Sequence, residues 1–167
     1  MNRSLAVRLP LLLLVQLALV GLAVLPQLSA RATGDEIRLR VAPVDPIDPF
    51  RGAYVTLDYP DLRHNDAESF EGGAGSMEDG EKGAVYVSLT RRGDVWAATD
   101  WSRERPSSGR YLRCDDHDWQ IRCGIESWFL PEDEAARTQG EVGEGKLVAV
   151  VKVDGRGNAA IVGLERP

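Results

Sequence analysis

Apolar and polar residues are distributed unevenly along the chain, with one long apolar block at the start and short alternating stretches after it. From Leu9 to Leu25 the residues are Leu, Val, Ala and Gly with one Pro and one Gln, and no charge follows until Arg31. A bilayer-spanning helix needs roughly 17–25 such residues, whereas the apolar core of a cleaved signal peptide has about 7–15. The block therefore predicts a single membrane helix, with residues 1–30 as an N-terminal anchor. Arg3 and Arg8 precede it and Asp35 and Glu36 follow it. By the positive-inside rule, the N-terminus belongs in the cytoplasm and the remainder outside the cell membrane. Ala30-Arg31-Ala32 has the small-residue spacing of a signal peptidase site, so a cleaved, secreted or periplasmic product is the alternative. The length of the block, and the position of that site well beyond its end, favour the uncut anchor.

After the anchor the pattern changes to the two-residue period of half-buried strands. Glu36–Val41, Tyr54–Tyr59 and Val85–Thr90 each alternate apolar with polar positions, and Arg92-Gly93-Asp94 turns the third into Val95–Ala98 as a hairpin. Tyr111–Arg113 and Trp119–Arg122 flank the polar tip Asp115–Asp118 and read as a second hairpin. A third is marked by Leu147–Val153 and Ala159–Leu164, joined by Asp154-Gly155-Arg156-Gly157-Asn158, whose glycines suit the positive φ of a tight turn. Pro131–Arg137, with Pro at the first helical position and acids in the first turn, predicts one short helix. The stretch 61–82 lacks apolar periodicity and reads as a flexible loop. Residues 31–167 are thus expected to form one mainly β domain, a small antiparallel barrel or sandwich with one short helix.

Charge narrows the range of partners. The chain carries −6, and removing the positive charges of Arg3 and Arg8 leaves −8 on the remainder. Such a domain repels phosphate backbones and anionic lipid headgroups, which argues against nucleic acid. Cys114 and Cys123 both fall in the exported part, where oxidation favours a disulfide. Spacing sets a condition on that bond. A four-residue tip places position 114 opposite 119 and leaves Cys123 about 13 Å further along at ~3.3 Å per residue. A disulfide needs Cα atoms about 4.4–6.8 Å apart. The bond and the tight hairpin exclude one another unless the loop widens to Asp115–Arg122.

The densest segment is Val41–Tyr59, where Pro43, Pro46 and Pro49 stiffen a turn holding Asp45 and Asp48 before Phe50-Arg51-Gly52. The run resembles the signature of the GDYXXLXY family of bacterial membrane-anchored proteins. Here the name-giving motif reads Gly52-Ala53-Tyr54-Val55-Thr56-Leu57-Asp58-Tyr59, with Ala53 in place of the family's Asp. Gly124-Ile125-Glu126-Ser127-Trp128-Phe129-Leu130-Pro131-Glu132 resembles a second family pattern. The resemblance implies an envelope location and, as a partner, a multi-pass membrane protein. It supplies no activity.

Read chemically, Asp45, Asp48 and Arg51 make either a structural clamp or a ligand site, with the clamp favoured. Tyr54 and Tyr59 lie on opposite faces of their strand, and Tyr59 shares the face of Val55 and Leu57, which assigns it to the core. Glu126, beside Trp128 and Phe129, is a candidate general acid or base of an envelope hydrolase if burial raises its pKa, although the commoner role is to bind an Arg or backbone amides. Asp115, Asp116, His117 and Asp118 have the composition of metal ligands without a ligand spacing, and read as a solvated tip. No nucleotide, phosphate-loop or nucleophile-elbow motif occurs, so no cofactor or metal is expected. A signal-peptidase-like pair built from Ser29 and Lys82 or Lys146 places the serine too near the anchor and the lysines in loops. Trp96, Trp101, Trp119 and Trp128 offer flat faces for a glycan or other small ligand, or equally core packing. The leading expectation is an accessory or interaction domain without catalysis.

Overall fold

A computed structural model describes residues 3–43, 54–63, 82–117, 121–145 and 147–167. The apolar block forms helix α1, Arg3–Thr33, as its richness in Leu and Ala favours. Its segment Pro10–Thr33 is long and apolar enough to cross a membrane. Leu11 through Leu28 present a broad exposed apolar surface.

The end of α1 is built into the rest of the protein. Ala30 is fully buried, and Thr33 Oγ1 donates back to Ser29 O at 2.9 Å. Gly34 N donates to Ala30 O at 2.9 Å. A Cβ at Gly34 would stand 2.4 Å from Ala30 O and 2.8 Å from Val153 N, so only glycine lets the chain leave the helix so tightly. Strand β1, Asp35–Arg40, begins at the next residue. The anchor boundary expected after Ala30 therefore lies within α1, three residues before its end.

β1 buries Ile37 and Leu39 and exposes the alternate positions, as its pattern predicts. It pairs antiparallel with β8, Val148–Val153, which pairs in turn with β9, Ala159–Glu165. Central β8 is buried at Val148, Ala149, Val150 and Val151 alike, because the end of α1 packs on this sheet as well as the core. A second sheet has the order β2, Ala42–Pro43, then β3, Tyr54–Asp58, then β7, Ser127–Phe129. The third places β4, Ala84–Arg92, between β5, Val95–Ser102, and β6, Arg110–Asp115. Ile37, Leu57, Val85, Leu112, Ile125 and Val151, drawn from all three sheets and a loop, meet in one core. The protein is mainly β in three small antiparallel sheets, and among the described residues these do not close into a barrel.

Local expectations fare unevenly. The β4–β5 hairpin turns through Gly93 and Asp94, with Gly93 at φ 66°. In the β8–β9 hairpin only Gly157, at φ 81°, uses left-handed backbone, and the Tyr111 ring lies where a Cβ would meet it at 2.6 Å. Helix α2 spans Glu132–Gly143, well beyond Arg137, and Pro131 is its N-cap instead of its first helical residue. Buried Val142 explains the extension, because it anchors the last turn through a helix-weakening glycine at 140. Of the expected hairpin of Tyr111–Arg113 with Trp119–Arg122, Trp119 and Gln120 lie outside the described residues, and the described Ile121 and Arg122 do not pair with Tyr111–Arg113. β6 pairs with β4, and only an isolated bridge joins Asp115 to Arg122.

That bridge resolves the conflict over the cysteines. Asp115 and Arg122 exchange both backbone hydrogen bonds, at 2.8 and 2.7 Å. The next pair, 114 and 123, is then a non-hydrogen-bonded pair, where antiparallel strands approach most closely. Cys114 and Cys123 are disulfide-bonded there with Cα atoms 4.1 Å apart. The four-residue tip gives way to a wider loop.

Candidate functional site

The two sequence motifs, some seventy residues apart, lie side by side. In β3 and β7, Tyr54 pairs with Phe129, Val55 with Trp128 and Thr56 with Ser127. One residue before β7 begins, Glu126 O accepts from Leu57 N at 2.8 Å. Tyr59, buried on the core face, donates its hydroxyl to Ile125 O at 2.7 Å. Loss of water on burial, reinforced by the nearby negative charge of Glu126, pushes the Tyr59 phenol well above the ordinary tyrosine range. The motifs thus specify one ribbon, sealed at its end by a buried phenol.

Glu126 sits on this ribbon, half-buried, and its Oε1 accepts the Cys123 backbone N–H at 2.5 Å. The contact ties the ribbon to the disulfide loop. Tyr54 is placed by its backbone pairing. Asp45, Asp48, Arg51 and Gly52 lie outside the described residues, as do residues 64–81 of the expected loop, Trp119 and Lys146.

At the disulfide loop Asp115 and His117 are exposed, as a solvated tip requires, Asp118 lies outside the described residues, and Asp116 alone is held by the fold. Asp116 accepts from Arg103 Nη1 at 3.0 Å and Nη2 at 2.5 Å, with both side chains largely buried, and from Gly83 N at 2.7 Å. Those hydrogen bonds, the arginine's first, hold its carboxyl below the usual range. Asp115 is exposed and is likewise lowered, chiefly by the His117 amide. No group of three or more metal-ligating side chains occurs among the described residues. Ser29 Oγ donates to Asp154, and Lys82 Nζ donates to His117 O, so this pair is not assembled. Trp101 is buried, Trp96 lies under the Arg110 guanidinium at 5.4 Å, and half-buried Trp128 is on the ribbon, so the described tryptophans do not make one common platform.

Two features carry no sequence signal. The first is a latch between helix and domain: Asp154, 6% exposed, accepts from Ser29 Oγ at 2.5 Å, Arg156 N at 2.9 Å, Asn158 N at 3.0 Å and Asn158 Nδ2 at 2.9 Å. Burial alone would raise its pKa, but the hydrogen bonds of Ser29, Asn158 and Arg156 outweigh it and leave the carboxyl lowered. The second is a groove of about 620 Å³ between the end of α1 and the ribbon, bounded by Gln27 and Arg31 on the helix and by Glu126, Trp128 and Phe129 opposite. Gln27 Nε2 also donates across to Gly124 O at 3.3 Å.

This architecture defines a class: a small antiparallel β domain joined without a spacer to a long apolar helix, with a two-motif ribbon at the junction. The family model described as GDYXXLXY protein matches residues 16–164, nearly the whole chain, and the protein belongs to that family. No curated protein and no solved structure matches it.

Proposed function

We propose that this protein is an accessory domain of the cell envelope, held in the membrane by α1 with its N-terminus in the cytoplasm and its β domain outside, and that it acts by binding a multi-pass membrane protein instead of by catalysis. The observation that carries this reading is the exposed apolar surface of α1 running directly into a buried, hydrogen-bonded junction with the domain. Such a helix is both an anchor and a surface for packing against other membrane helices. The arrangement of the motif residues supports a structural use, since Tyr59 donates to a backbone carbonyl and Glu126 accepts a backbone amide at one of its two carboxylate oxygens, Oε1.

The test is affinity capture of the full chain from membranes solubilised in mild detergent, with α1 replaced by an unrelated apolar helix as control. Enrichment of a multi-pass protein by the native helix only is expected. Recovery of no protein above the control would refute the partner. A reporter fused to the C-terminus that is active only in the cytoplasm would refute the topology.

A further inference from the structure

Resting on the anchored reading above, we propose that the domain sits directly on the outer bilayer surface and that the groove between α1 and β7 receives a zwitterionic phospholipid headgroup, one bearing a phosphate and an ammonium. The apolar length of α1 sets its depth in the bilayer. Leu9–Leu28 contains no ionisable residue, and these positions rise about 30 Å at 1.5 Å each, which matches the hydrocarbon thickness of a bilayer. The hydrocarbon boundary therefore falls near Leu28.

No spacer separates helix and domain at that boundary. Leu28 is 54% exposed and Ala30 is 0% exposed, buried by the domain. Two residues of helix rise only about 3 Å. The hydrogen bonds of Gln27 to Gly124 and Ser29 to Asp154 fix the same level. A domain held in this way has no length of chain with which to stand away from the lipid.

The groove has the chemistry of a headgroup site at that depth. Gln27 and Arg31, four residues apart, share one helix face, and Arg31 lies about 4.5 Å beyond Leu28. That is inside a headgroup layer about 5–7 Å deep on each side. Arg31 supplies a cation suited to a phosphate and Glu126, through the carboxylate oxygen that Cys123 leaves free, an anion suited to an ammonium, while Ile161 adds an apolar lining. Phe129 is 75% exposed, costly in water but favourable at the membrane interface, where Trp128 beside it is also at home. The lipid surface is continuous with the apolar face of α1, which makes lipid the natural occupant.

The full chain is reconstituted into phosphatidylethanolamine vesicles doped with a headgroup spin-labelled lipid, and tryptophan quenching is measured. Trp128→Phe should remove a component of the quenching and Phe129→Trp should add one. Moving the label to the acyl-chain end should weaken both. Replacing phosphatidylethanolamine with phosphatidylglycerol, or Arg31→Glu, should reduce the Trp128 component. Equal quenching of native protein, Trp128→Phe and Phe129→Trp in vesicles that carry the chain would overturn contact with the surface while leaving the anchor intact. Quenching by both lipids alike would overturn the headgroup seat. Failure of the chain to float with the vesicles would refute the anchored reading and this proposal together.

Discussion

The junction between helix and domain makes the most discriminating stability prediction. Ser29 Oγ donates to a carboxylate that accepts three further hydrogen bonds from its own turn. A hydrogen bond to a charged, largely buried acceptor contributes about 1.5–3 kcal/mol. Ser29→Ala should therefore destabilise by about 1.5 kcal/mol, a fall in Tm of roughly 3–6 °C for a chain of this size. Asp154→Ala removes the acceptor from all four donors and leaves the turn amides of Arg156 and Asn158 without it, for a loss of about 3–4 kcal/mol. In the double variant Ser29 has already lost its partner, so the second substitution should add almost nothing, giving a coupling of about 1.5 kcal/mol. Thermal unfolding of the full chain in detergent micelles, followed by near-UV circular dichroism, measures each term. The linkage to pH has a definite sign. A lowered folded pKa makes the contribution complete above the unfolded aspartate value near 3.9 and lost as pH falls through the folded value. Native protein should thus lose stability on acidification more steeply than Asp154→Ala. If Ser29→Ala costs as much in the Asp154→Ala background as in the native one, the latch does not form and the reasoning fails.

Other outcomes follow from two glycines, a buried tyrosine and the disulfide. Gly34→Ala should destabilise by about 2 kcal/mol or more through backbone overlap at Ala30 and Val153, whereas Gly140→Ala, with open space around it on α2, should stabilise by about 0.5–1 kcal/mol, both read from unfolding midpoints. Tyr59→Phe should cost about 1–3 kcal/mol by leaving Ile125 O unpaired. In native protein the raised phenol contributes stability that is complete below the unfolded tyrosine value near 10 and lost as pH rises toward the folded value. An ultraviolet titration in which all tyrosines ionise together near pH 10 without unfolding would contradict its burial. Reducing Cys114–Cys123, which closes a loop of sequence separation 9, should cost about 2.5 kcal/mol by the chain-entropy account, seen as a lower Tm in reductant and no change in a double-serine variant.

How far the pattern of residues reached differs from one element to the next. The apolar block, the alternation in β1, β3 and β4, and the turns at Gly93 and Asp154–Asn158 were legible because each is a local signal: composition, a period of two, or a glycine where positive φ is needed. The core assignment of Tyr59 was legible for the same reason, from its phase with Val55 and Leu57. The extent of α2 was not, since buried Val142, not propensity, sets its end. Nor was the partner of Tyr111–Arg113. Local spacing offered Trp119–Arg122, whereas the structure pairs β6 with β4, since strand choice depends on which distant surfaces can be buried together.

The amino-acid sequence by itself determined that an apolar helix precedes an acidic, strand-rich domain with two cysteines and two separated motifs. The tertiary structure alone decided that those motifs form one ribbon, that the cysteines meet across a non-hydrogen-bonded pair, and that Ser29 meets Asp154. Periodicity reports the environment of each segment; which segments meet is settled by long-range closure, in which side chains far apart in sequence must fill one core and satisfy one another's polar groups.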